Sequence, residues 1–308
     1  MQFNYQSVLS VAIISTGILL LLNLSSCSNL SSKETTEPEN LVLVCGDSKV
    51  LVVDFSNQNN TTPSVVWNWD AHNATDLPSD YRMKKFNSID DCKAIKGGKE
   101  ILISSSSGAI AILNKKDKKV LFYTEVPNAH SIELLPDDKI VAAASTAERG
   151  NRLMVFDINN PEKLLFSDSL YSAHGVEWDD KRNSLFALGY DVLREYKIIE
   201  NFKLELFEEW EIPGISGHDL QMTPDGNNLF ITEHTGAWIF NIENEKFSKI
   251  DNFPDAENIK SISQNNLGQF VFTVPEESWW TYHVNFHNPT ANLSFPDIHV
   301  YKARWFKP

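Results

Sequence analysis

His130, His174 and His218 recur at steps of 44 residues, each opening the same short pattern: Ala129-His130-Ser131-Ile132-Glu133, Ala173-His174-Gly175-Val176-Glu177 and Gly217-His218-Asp219-Leu220-Gln221. Three imidazoles delivered by one repeated unit could act as catalytic groups in more than one way. They could hold a divalent metal ion with one position left open, because neutral imidazole is its commonest nitrogen ligand. One of them could instead serve as a general acid or base. All three could also do no more than exchange hydrogen bonds with sugar hydroxyls. The residue types leave these uses open, and if the imidazoles are ligands the expected cofactor is one divalent metal ion. A structural role stands beside them, since a repeat copies turn-bracing residues as readily as functional ones.

The elements that must position these side chains follow from the same period, which is that of a β-propeller blade. A turn follows each histidine segment: Pro136-Asp137-Asp138, Asp179-Asp180-Lys181 and Pro224-Asp225-Gly226-Asn227. A β-rich apolar run follows each turn, at 140–143, 185–188 and 229–232. Two flanking units fit the template with Asp91 and Lys260 at the histidine position. The stretch 41–69 has three strand-like runs but no first strand. The run 298–305 can supply it, and joining the two ends in one blade removes exposed sheet edges. The expectation is an all-β, six-bladed β-propeller whose N- and C-terminal strands share a blade.

In such a fold the first strand of each blade lines the central channel, so His130, His174 and His218 should reach one mouth. The loops between second and third strands return to that mouth and add Glu148, Arg149, Tyr190, Asp191, Glu233 and His234. Arg149 could hold a substrate carboxylate. Trp279 and Trp280, on a long segment after the last repeat, could stack on a sugar ring or pack against the final blade.

Composition limits the partners. The 308 residues carry a formal net charge of −14. That argues against nucleic acid, whose binding draws mainly on Lys and Arg. An apolar run at 8–22 leads into Leu24-Ser25-Ser26-Cys27, although Met1 to Ser7 lacks the usual Lys or Arg. Residues 1–26 are therefore expected to be a lipoprotein signal peptide, 27–40 a lipidated Cys27 and flexible stalk, and 41–308 the propeller domain. Cys45 and Cys92 lie in apolar runs of neighbouring blades. A disulfide is open to them in an oxidising compartment, but buried free thiols are the favoured expectation.

The lipobox, Cys45-Gly46-Asp47, Trp67-Asn68-Trp69, the histidine blade starts and the ending from Phe295 to Trp305 together resemble a family of secreted bacterial six-bladed β-propeller lipoproteins without an assigned reaction. The resemblance implies a fold and a cell-envelope location. The functional expectation is a membrane-tethered, monomeric, extracytoplasmic propeller that binds a carbohydrate or related hydroxylated ligand at a histidine-lined pocket. Polysaccharide lyase or glycoside hydrolase chemistry would be its enzymatic form. The alternative is a non-catalytic scaffold for protein–protein interaction in the envelope.

Overall fold

Within each blade, consecutive strands joined by short polar turns pair antiparallel, and with the closing strand Val300–Trp305 added to the first blade the result is six four-stranded sheets. The computed structural model describes residues 40–307. The sheets form a six-bladed β-propeller. Blades 2 to 6 begin with the inner strands Ile89–Ile95, Ala129–Leu135, Gly175–Asp179, Asp219–Met222 and Ser261–Gln264. Blade 1 takes its outer three strands from Leu41–Gly46, Lys49–Asp54 and Ser64–Asp70 and its inner strand from Val300–Trp305. The strand His283–His287 is the third of blade 6, which leaves the C-terminal strand free to close the ring.

Strand Leu41–Gly46 is buried along its whole length because its sheet is covered on both faces. Successive side chains point to opposite faces. Leu41, Leu43 and Cys45 accordingly pack toward blade 2, and Val42 and Val44 toward blade 6. Continuous apolar runs, rather than alternating ones, are what a blade between two neighbours requires. Where the closing strand meets blade 1, a Cβ on Gly46 would lie 2.0 Å from the His299 carbonyl oxygen, so that crossing admits only glycine.

The propeller axis is filled by charge. Lys302 and Arg304, from the closing strand, meet Asp91 of blade 2 and Asp219 of blade 5 with all four side chains buried. Arg304 Nε donates to Asp91 Oδ1 at 2.8 Å and Nη2 to Asp219 Oδ1 at 2.6 Å, while Lys302 Nζ donates to Asp219 Oδ1 at 2.9 Å. Two cations face two carboxylates, as burial demands. The cluster divides the channel into two mouths.

Cys45 and Cys92 are free, buried thiols on adjacent blades. Burial pushes the Cys45 thiol well above its ordinary value, and Cys92 beside it adds to the rise. The signal peptide, Cys27 and all of the stalk but Asn40 lie outside the described residues. Among the described residues no helix is long and apolar enough to cross a membrane.

Candidate functional site

The histidine position is a bulge in the inner strands. In blade 3, Ala129 pairs with Ala144 and Ser131 with Ala143, and His130 is the extra residue between them. Asp90 holds the same place in blade 2, between Ile89 and Asp91, and Tyr301 in blade 1, between the partners of Gly46 and Cys45. The residue equivalent to the histidines in blade 2 is therefore Asp90 and not Asp91, because the bulge shifts the register by one. In blades 4 to 6 the position falls just before the strand: the His174 amide donates to the Leu188 carbonyl, that of His218 to Thr232 and that of Lys260 to Thr273. One mouth is thus ringed by Asp90, His130, His174, His218, Lys260 and Tyr301.

The three histidines do come together at that mouth. The His130 and His174 rings stack, with centroids 4.2 Å apart and planes 15° from parallel, and His218 meets His174 edge-on at 6.0 Å. This arrangement does not fit the expected metal site. A metal bonded to an imidazole nitrogen lies in that ring's plane at about 2.0 to 2.1 Å, so two stacked rings cannot share it. His218 Nε2 is moreover occupied by Lys260 Nζ at 2.8 Å. Among the described residues no group of three or more His, Cys, Asp or Glu side chains is placed to hold a metal ion.

The hydrogen bonds assign the tautomers. Lys260 can only donate to His218 Nε2, so the proton of that ring sits on Nδ1, which is buried without a partner. His174 Nδ1 lies 2.8 Å from the Ser172 carbonyl and must donate to it, which leaves Nε2 as an acceptor. His130 Nδ1 is also buried without a partner, 3.9 Å from Asp90 Oδ1. Burial drives the whole ring toward neutrality. It lowers His174 to about 4, His218 to about 2 and Lys260 to about 8, pushes His130 well below its ordinary value, and raises Asp90 to about 7.

Around the ring, exposed aromatic side chains stand at the rim. Tyr171 is 61% exposed and lies 5.5 Å from Tyr190; Trp279 is 55% exposed and meets Trp280 edge-on at 5.0 Å. Trp279, Trp280 and Tyr301 line a cavity of about 150 Å³ beside the ring. Arg149, Glu148 and Asp191 are exposed on the loops of this mouth. Ser145, which opens the Glu148–Arg149 loop, brings its hydroxyl within 3.3 Å of His174 Nδ1.

Two expected ligand residues are already committed to the protein. Glu233 is fully buried, and its carboxylate accepts from Thr235 N, Thr235 Oγ1 and Trp238 Nε1, so it fixes its own loop. His234 Nδ1 is bonded to Asn258 Oδ1 at 2.7 Å. The sequence reading missed the axial residues Lys302 and Arg304 and a cavity of about 660 Å³ at the opposite mouth. The alternation of Lys302 and Arg304 in a strand bound for the channel was the available signal.

No curated protein matches the chain. A family model matches residues 7–307, nearly the whole length, and the chain belongs to the family it describes, a family of unknown function (DUF6528).

Proposed function

We propose that the protein is a membrane-tethered, extracytoplasmic propeller that binds a neutral hydroxylated ligand, of the carbohydrate class, at the histidine mouth. The observation that carries this reading is a floor of neutral imidazoles with incomplete hydrogen bonding beneath an aromatic rim. His174, with its Nδ1 proton spent on the Ser172 carbonyl, offers the lone pair of Nε2 to a ligand hydroxyl, while the Nδ1 atoms of His130 and His218 are sealed beneath the mouth. Tyr171 and Trp279 offer faces on which a sugar ring can stack. Support for the tether is the apolar run ending in Leu24-Ser25-Ser26-Cys27, with Cys27 as the lipidated residue.

Asp90 favours an enzymatic form of this reading. A carboxyl poised near neutrality, 3.9 Å from an imidazole, is suited to accept a proton in lyase or hydrolase chemistry. The scaffold alternative gains less, because turn-bracing histidines would have their ring nitrogens satisfied.

The test is titration of the full chain with neutral mono- and disaccharides by calorimetry. Saturable binding is expected, weakened about tenfold or more by His174→Ala and by Tyr171→Ala. Absence of binding across the neutral panel, or binding indifferent to both variants, would overturn the reading.

A further inference from the structure

A cavity lies at the end of the channel away from the histidines. Its volume is about 660 Å³, within the range of about 300 to 1,000 Å³ typical of small-molecule sites. The C-terminal halves of the inner strands build its floor, presenting Lys93, Glu133, Glu177, Gln221 and Arg304, and Lys307 follows the closing strand into its wall.

The hydrogen-bond capacity of these groups is unevenly spent. Lys93 Nζ uses its three donors on Glu133 at 2.7 Å, Glu177 at 3.1 Å and the Val176 carbonyl. Arg304 spends its donors on Asp91, Asp219 and Gln221, save one N–H. Lys307 Nζ donates only to the Met222 carbonyl, at 3.2 Å, and no carboxylate of the described residues stands within ion-pair distance of it. An ammonium carries three donors, so two remain. Burial lowers the Lys307 pKa, the mark of a cation short of compensation.

The charges of the lining select the ligand. Lys93 is paired with Glu133 and Glu177, and Arg304 with Asp91 and Asp219, so Lys307 is the cation of the lining that has no carboxylate partner among the described residues. One ligand carboxylate supplies that partner. A phosphate dianion would bring a second negative charge beside both glutamates, and a single lysine lacks the forked donors that phosphate sites use. The Glu133 carboxylate and the amide of the exposed Asn266 can exchange hydrogen bonds with hydroxyls.

We propose that this mouth is a second ligand site, taking a small hydroxylated carboxylic acid of the uronic or aldonic acid class, with its carboxylate on Lys307 Nζ. The site is independent of the histidine mouth, from which the buried Lys302–Arg304–Asp91–Asp219 cluster separates it.

Calorimetric titration of the full chain with D-glucuronate, D-gluconate, D-glucose 6-phosphate and D-glucose tests this. At least one of the two acids is expected to bind at one site more tightly than the phosphate or the neutral sugar. Lys307→Gln should weaken it about tenfold or more, Lys307→Arg should retain it, and His174→Ala should leave it unchanged. Thermal midpoints of the variants confirm that each is folded. Failure of both acids to bind, a tighter phosphate, or acid binding that survives Lys307→Gln would overturn the assignment. Loss of acid binding in His174→Ala would do so as well, by moving the site to the other mouth.

Discussion

Asp219→Asn is the sharpest perturbation of the propeller axis, because it removes one charge and almost no volume. The Asp219 carboxylate is fully buried and accepts from Arg304 Nη1 and Nη2, Lys302 Nζ and the Ile262 amide. With the amide in its place, two buried cations face the single carboxylate of Asp91. Breaking a buried pair from one side costs about 3 to 5 kcal/mol, since the remaining charge stays desolvated without compensation. For a domain of this size that corresponds to a fall of roughly 6 to 20 °C in thermal midpoint. Differential scanning calorimetry and urea unfolding of the full chain read both quantities. The double variant Asp219→Asn with Lys302→Met returns the axis to one cation and one carboxylate and should recover part of the loss. An Asp219→Asn penalty below about 1 kcal/mol, or a double variant less stable than the single, would refute the account of the axis as a charge-balanced plug.

Three further outcomes follow from the geometry. Asp90, with its folded pKa raised by burial to about 7, keeps its proton where the unfolded chain has lost it, so its contribution to stability falls as pH rises from about 4 to 7. Unfolding free energies of wild type and Asp90→Asn should therefore diverge in favour of the variant, by at most about 1.4 kcal/mol per pH unit in that window; parallel curves would contradict the burial of Asp90. Gly46→Ala should destabilise the domain by about 1 to 3 kcal/mol or more, because the added methyl meets the His299 carbonyl; an unchanged urea midpoint would mean that the closing strand does not cross there. In a Cys27→Ser background, a thiol reagent should label neither remaining cysteine in the native chain and both after unfolding, and native labelling would show that the seam between blades 1 and 2 opens.

The repeat made the architecture readable. Histidines 44 residues apart, with turns and apolar runs in step, define blade number and strand order, and the lack of a first strand before Leu41 points to closure by the C-terminal run. The chemistry was less legible, for physical reasons. The one-residue bulge that places Asp90 beside His130 leaves no mark in spacing, since blade 2 and blade 3 differ only in which residue is extruded. Lys302 and Arg304 read as an ordinary strand, because their partners Asp91 and Asp219 come from blades more than 80 residues away along the chain. Glu233 looked available by its position in a loop, and only the three donors gathered around it show that it is not. Type and spacing say which mouth a residue approaches. They do not say whether its hydrogen bonds are already spent.

Closure by residues 300–305 has a consequence for the order of folding. Until these residues dock, the chain displays Asp91 and Asp219 facing an axis that lacks both cations, and blade 1 shows water the edge of strand Leu41–Gly46. The unclosed propeller is thus an open arc with two uncompensated carboxylates, and it gains its last seam and its charge balance in one event. Chaperone dependence and sensitivity to proteases should peak just before that event, whichever compartment it takes place in.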